Sequence, residues 1–210
     1  MNFDELRHRM VADQLQRRGI HDSRVLEAMD WVPRHEFVPG DSLELAYSDC
    51  ALPIACDQTI SQPYTVGFMC QAARIRAGDR VLEVGTGSGY GAAVLSLLAK
   101  EVHTVERIEA LHRTANALLR RLGYSKVHCH LDDGTLGLPG HAPFDAIVVA
   151  AGAEKLPEAL REQLADGGRL IIPVGPPSHQ RMICIIRDGD RFTQEDLGSF
   201  GFVPLVSDRA

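Results

Sequence analysis

With 210 residues the chain is long enough to bury a substantial core, and its net charge of -6 with a pI near 5.8 excludes the basic footprint that nucleic acid or an anionic membrane would require. Charges begin at Asp4 with no apolar leader stretch, and no apolar run reaches membrane-spanning length, so a cytoplasmic protein with no membrane or nucleic-acid partner is expected. Cys50, Cys56, Cys70, Cys129 and Cys184 form no CxxC pair, which fits reduced thiols better than disulfides or a zinc centre.

Phe3, Leu6, Met10, Val11 and Leu15 recur on one side of a helix over residues 4–18 that Gly19 ends. A second helix, capped by Asp22 or Ser23, carries Val25, Leu26 and Met29 and stops at Pro33. Residues 33–60 are loop-rich, with a helical hint only at 42–47, and so long a weakly structured stretch inside a compact domain is usually functional. Pro63 suits the first position of a helix over 63–73, with Gln62 or Ser61 at its cap. From residue 80 the pattern alternates. Strands at 80–84, 102–105, 126–131, 144–150 and 169–173 are separated by a helix at 92–100, a helix that Gly123 closes, a Gly/Pro-containing loop to Pro143, and a helix opening near Pro157. Such alternation predicts an α/β fold with a doubly wound, mostly parallel, Rossmann-like sheet. Residues 182–187 and 200–205 read as strands with a turn at Asp188-Gly189-Asp190 and no intervening helix, which predicts an antiparallel C-terminal edge. One domain is expected, with residues 1–76 as a helical and loop extension and 77–210 as the α/β core.

The first of these strands runs into Glu83-Val84-Gly85-Thr86-Gly87-Ser88-Gly89-Tyr90-Gly91, a strand, loop and helix arrangement whose glycines let backbone N–H groups approach a ligand. Two ligands compete. Gly87 to Ala92 fits G-x-G-x-x-G/A, the dinucleotide pattern. Glu83, however, would repel a pyrophosphate and welcome a cation, and S-adenosylmethionine carries an ammonium and a sulfonium. E-x-G-x-G-x-G is the usual form of its loop. Glu106, at the end of the second strand and followed by Arg107, is placed for two ribose hydroxyls, and Asp133-Gly134 after the third strand for an adenine amino group. Each acidic residue has a plainer reading as a cap, a dipole partner or a turn. Three in order at successive strand ends favour the methyl donor, with Glu83, Gly85, Thr86, Gly87, Ser88, Gly89, Glu106, Arg107, Asp133 and Gly134 as its candidate contacts.

Val32-Pro33-Arg34-His35-Glu36-Phe37-Val38, Gln58-Thr59-Ile60-Ser61-Gln62-Pro63-Tyr64, the glycine loop, Ala142-Pro143-Phe144-Asp145-Ala146-Ile147, the run from Gln163 to Gly175, and Phe202-Val203-Pro204-Leu205 occur in this order along nearly the whole chain. On these residues the sequence resembles the protein-L-isoaspartate O-methyltransferases. The glycine loop alone indicates only a class I methyltransferase; the Gln58 and Phe202 motifs are far more particular. The resemblance implies transfer of a methyl group from S-adenosylmethionine to the α-carboxylate of L-isoaspartyl residues in damaged proteins, leaving S-adenosylhomocysteine. It implies Ser61 as the active-site residue, Gln58 and Thr59 in the same cleft, and Val203 and Leu205 as backbone contacts to substrate. A monomer is expected. A methyltransferase dedicated to one peptide partner and a non-catalytic cofactor-binding regulator are the alternatives.

A carboxylate acceptor is already ionised near neutral pH, so no general base or triad is required, and Ser61 is expected to orient it rather than attack. Without the resemblance Ser61 reads as an ordinary helix-start serine. Three stretches depart from the family pattern: Ala55-Cys56-Asp57, Asp132, and Gly152-Ala153-Glu154-Lys155. Asp57 near an anionic substrate would cost on the order of 1 kcal/mol at about 8 Å. His128 and His130 face one way on a predicted strand, where a structural role outweighs a metal, so none is expected. The tail carrying Val203 and Leu205 must fold back over the glycine loop for this chemistry.

Overall fold

The computed structural model describes residues 1–207. The N-terminal segment begins as α1 (Phe3–Arg9), capped by the Asn2 side chain, and continues through a π-helical stretch (Met10–Leu15) and a 3-10 turn (Gln16–Arg18) to Gly19, whose φ of 97° stops it. The expected helix over 4–18 is therefore one rod in three hydrogen-bonding registers. α2 (Ser23–Trp31) follows, its cap Asp22 accepting from the N–H groups of Arg24 and Val25. The loop-rich passage contains 3-10 turns at Arg34–Phe37 and Gly40–Leu45 and a small hairpin of β1 (Leu52–Pro53) and β2 (Thr59–Ile60). Pro63 opens α3 (Pro63–Ala72), as its fixed φ predicts.

The core then runs β3 (Arg80–Val84), α4 (Tyr90–Leu98), β4 (Glu101–Glu106), α5 (Glu109–Arg121), β5 (Val127–Leu131), β6 (Phe144–Val149), α6 (Glu158–Glu162), β7 (Leu164–Val174), β8 (Gln180–Asp188) and β9 (Arg191–Phe200). The sheet order is β5-β4-β3-β6-β7-β8-β9, parallel from β5 to β7 and antiparallel through β8 and β9. After β5 the chain crosses to the other side of β3, so helical connections diverge between β3 and β6 and leave a crevice at the carboxyl ends of those strands.

The final strand differs from expectation. Residues 201–205 are not a strand; β9 starts directly after the turn at Asp188-Gly189-Asp190 and ends at Phe200, and beyond it, among the described residues, only an isolated parallel bridge joins Pro204 to Gly152. An edge strand with solvent on one side can be largely polar, as Thr193, Gln194, Glu195 and Asp196 are, so its sequence lacks a clear apolar alternation. Pro204 has no N–H to extend a ladder.

Two apolar layers sandwich the sheet. Val81, Val102, Ala146, Val148 and Ile171 face α2, α3, α4 and α5, while Leu82, Val84, Ile147, Val149 and Leu170 face the short α6 and the turn carrying Leu138. A polar joint fastens α3 to this sheet. The buried Arg169 on β7 pairs with Asp79 at 2.6 Å and donates through Nε to the carbonyl of Ala73 at 2.8 Å and through Nη2 to that of Arg74 at 3.2 Å. Asp79 also accepts from the N–H of Arg76 at 3.0 Å. Removing one partner strands a buried charge, so Asp79→Ala should destabilise the fold by about 3–5 kcal/mol in urea unfolding. A loss below about 1 kcal/mol would show that the joint does not carry this load.

Candidate active site

The loop leaving β3 is stapled to β4 by the N–H groups of Gly85 and Thr86, both donating to the carbonyl of Val105 at 2.9 and 3.3 Å. It closes when the N–H of Gly89 donates to Thr86 at 2.8 Å, and Gly89, at φ 90°, forms the left-handed N-cap of α4. Gly91 is needed for a different reason. A Cβ there would lie 2.2 Å from Oε1 of Glu83, so the carboxyl group occupies the place of a side chain against the first turn of α4.

Glu83 is 3% exposed and its Oε2 accepts from the Thr104 hydroxyl at 2.6 Å. Since that proton goes to Glu83, the 2.7 Å contact between the Thr86 and Thr104 hydroxyls has Thr86 as donor. Burial pushes the Glu83 carboxyl up to about 8, against the Thr104 hydrogen bond and with help from the nearby charge of Glu106. Glu106, one strand over, is fixed by its neighbours: Oε2 accepts from the N–H of Gly87 and Oε1 from that of Ile108, each at 3.0 Å. These bonds set the carboxylate's orientation and leave a lone pair on each oxygen for a ligand.

The structure brings Gln58, Thr59, Ser61, Glu83, Gly85, Thr86, Gly87, Ser88, Glu106, Arg107, Gly134, Val203 and Leu205 to the lining of one cavity. Gly89 and Asp133 do not line it. Asp133 turns its Oδ1 to the N–H and hydroxyl of Thr135 at 2.9 and 2.7 Å, and its Oδ2 accepts from the hydroxyl of Ser207 at 2.9 Å. It caps the 3-10 turn Gly134–Leu136, and the adjacent Gly134 meets the cavity instead. Sequence reasoning missed Thr104, which sits mid-strand and reveals itself only as the cross-strand neighbour of Glu83, and the lining residue Ile108, an apolar side chain at the N-cap of α5.

The other wall comes from three segments far apart in sequence. The turn between β1 and β2 places Cys56 and Asp57 at φ 59° and 56°. Asp57 is exposed there and is not among the lining residues, so it does not bring its charge to the cavity wall. Ser61 follows β2 and precedes α3. The tail does fold back: Gly152 donates to the carbonyl of Val203 and accepts from the N–H of Leu205, both at 2.8 Å. Gln180 clamps Phe202, accepting from its N–H at 2.7 Å and donating to its carbonyl at 3.2 Å. A second, open groove lined by Arg18, Tyr64, Phe68, Phe200 and Phe202 meets the first cavity at Thr59, Ser61, Ala150 and Val203.

Two carboxyl groups beside the glycine loop make this a poor cradle for a pyrophosphate. They suit a ligand that carries positive charge and a pair of hydroxyl donors, which S-adenosylmethionine does.

A family profile described as Protein-L-isoaspartate(D-aspartate) O-methyltransferase matches residues 6–210. The chain is 52% identical over 210 residues to a protein-L-isoaspartate O-methyltransferase of Roseiflexus sp. (strain RS-1), covering 100% of this chain and 96% of the relative. It is 49% identical over 211 residues to one from Brucella anthropi, covering 100% and 97%. Among solved structures, a protein-L-isoaspartate O-methyltransferase superposes with a TM-score of 0.87 at 28% identity, covering 96% of this chain and 66% of that one. A Plasmodium falciparum beta-aspartate methyltransferase in complex with S-adenosyl-L-homocysteine gives 0.82 at 25% identity, covering 95% and 98%. With the family pattern matched from Leu6 to the last residue, the chain belongs to the protein-L-isoaspartate(D-aspartate) O-methyltransferase family.

Proposed function

We infer that this chain is an S-adenosylmethionine-dependent carboxyl methyltransferase that esterifies the α-carboxylate of L-isoaspartyl residues in damaged proteins. The observation that carries this reading is the single cavity in which the loop after β3, with Glu83 and Glu106, faces Ser61 and the Val203–Leu205 tail. We further infer a monomer in the cytoplasm, and the net charge of -6 leaves no basic footprint for a nucleic-acid partner.

When bound, the cofactor supplies a methyl group on a positively charged sulfur. The protein's part is to bind, align and exclude water. Glu83, in its ionised form, offsets positive charge at the loop, and Glu106, held by two backbone N–H groups, accepts from a ribose diol. Met69, Leu95 and Val148 supply an apolar wall that keeps the cavity dry. The Ser61 hydroxyl donates to one oxygen of the acceptor carboxylate and so directs the other toward the methyl group; it forms no covalent bond. Val203 and Leu205 present main chain to the substrate, and contacts of that kind tolerate varied side chains around the damaged residue. The open groove beside Ser61 leaves room for those flanking residues.

The reading is tested with an isoaspartyl peptide and its normal aspartyl twin. Base-labile methyl transfer is expected only to the former, across a panel of unrelated flanking sequences, and equal or absent labelling of both would sink the substrate assignment. Ser61→Ala and Glu106→Ala should separate the two walls. The first lowers kcat with cofactor affinity nearly intact, while the second weakens cofactor binding by about 1.5–3 kcal/mol for each lost charge-assisted bond; the reverse pattern would exchange their roles.

Glu83 gives a pH signature. Its folded pKa of about 8 lies above the ordinary 4.5, so its contribution to the stability of the ligand-free protein is complete below about 4.5 and is lost as pH rises through about 8. Glu83→Gln should therefore raise the thermal midpoint of the ligand-free protein at pH 8. In the wild type a cation beside Glu83 displaces its proton, so affinity should climb by up to about tenfold per pH unit between roughly pH 6 and 8. Calorimetry in two buffers of different ionisation enthalpy reads that proton directly, and a pH-independent affinity in the wild type would show that binding displaces no proton from Glu83.

A further inference from the structure

Four histidines converge on the sheet face opposite Glu83 and Thr104. His103 lies on β4 between Val102 and Thr104, so by the alternation of a strand it points away from the methyl-transfer cavity. His128 is its register partner on the edge strand β5, His130 lies two residues further on, and His141 ends the 3-10 turn Pro139–His141. The His103 ring centroid is 4.6 Å from that of His141, 5.2 Å from His130 and 5.1 Å from His128. Sequence alone paired only His128 with His130, because His103 and His141 arrive from separate parts of the chain.

We propose that His103, His130 and His141 form a binding site for a borderline divalent transition metal of the zinc class. One nitrogen from each lies within 4.8 Å of the others. His103 Nδ1 and His130 Nε2 are 3.0 Å apart. Two imidazole nitrogens bound to tetrahedral zinc, each at about 2.0–2.1 Å, sit roughly 3.3 Å apart, so this pair already has near-ligand spacing. His141 is exposed on its turn, and a shift of about 1.5 Å would bring its nitrogen to the same separation.

The remaining nitrogen of His103 supports this assignment. His103 is 5% exposed and its Nε2 is buried with no hydrogen-bond partner among the described residues. Nε2 faces Oε1 of Glu101 at 4.0 Å, and Glu101 is itself held by Arg80. An unprotonated Nε2 there would set a lone pair against a carboxylate. Protonated, it points a donor at Glu101 and leaves the Nδ1 lone pair facing His130 and His141. Ligating histidines usually have this arrangement, with the second ring nitrogen directed at a carboxylate. An all-nitrogen donor set disfavours calcium and magnesium, which take oxygen ligands. Bound metal would clip the turn Pro139–His141 to the sheet at β4 and β5.

The test uses the full chain, stripped with a chelator and titrated with zinc in a calorimeter, together with the visible spectrum of the cobalt(II) form. One zinc per chain is expected, with a rise in thermal midpoint, and cobalt should give the intense bands of tetrahedral nitrogen coordination. His141→Ala, an exposed position whose loss leaves the core intact, should weaken zinc binding at least tenfold and abolish those bands. His130→Ala should do the same, while the distant surface variant His179→Ala should bind as the wild type does. No stoichiometric zinc binding by the wild type, or equal affinity in wild type and His141→Ala, would overturn the site. Methyl transfer to isoaspartyl peptides is read separately, so failure of the metal site leaves the assignment of the cleft untouched.

Discussion

A carboxyl group sealed from water at the end of β3 constrains much of the surrounding structure. Glu83 has to be accommodated by space and by hydrogen bonding at once, and the chain answers both needs locally. Gly91 supplies the space by having no side chain, and the Thr86 to Thr104 to Glu83 hydroxyl relay supplies the donor. The glycine spacing of the loop therefore serves two separate demands. Gly89 meets a dihedral requirement at the helix start, whereas Gly91 makes room for a neighbour's oxygen atoms. A group kept mostly protonated while the cleft is free is a destabilised anion held in reserve, and a cationic ligand is what relieves it.

The opposing wall is built differently. No local motif determines it; it depends on tertiary joints that set α3, the hairpin and the tail against the sheet. The guanidinium of Arg169 ties the end of α3 to β7, and α3 begins two residues after Ser61. The position of Ser61, the proposed acceptor residue, thus rests on a buried ion pair at the far end of a helix. The division matches the chemistry. The cofactor is one fixed molecule and suits a rigid loop, whereas the acceptor is a varied protein surface met by an open groove.

Legibility in the sequence followed the same division. The strand, loop and helix around Glu83 could be read because their pattern is local, and the three acidic residues at strand ends could be found by counting strands. What counting did not give was direction. Asp133 stands at the expected strand end yet turns to Thr135 and Ser207, since a residue that opens a 3-10 turn is drawn to the unpaired N–H groups of that turn. β9 was hidden because a solvated edge needs little apolar alternation, and the strand was expected instead at the more apolar residues 200–205. Asp57 raised a concern that distance along the chain could not settle, and the left-handed turn at Cys56 and Asp57 sets it outside the lining. His103 and His141 are invisible as partners until β4, β5 and the turn before β6 are laid side by side.

The tail is fastened at three points within a few residues: Phe202 to Gln180, Val203 and Leu205 to Gly152, and Ser207 to Asp133. The first lies beside the acceptor groove and the last beside the turn that presents Gly134 to the cofactor end. A short strap anchored at both ends cannot be lifted from one without tension on the other. The six residues from Phe202 to Ser207 thus border both the acceptor groove and the turn carrying Gly134, and a displacement at one fastening is passed along the backbone to the other.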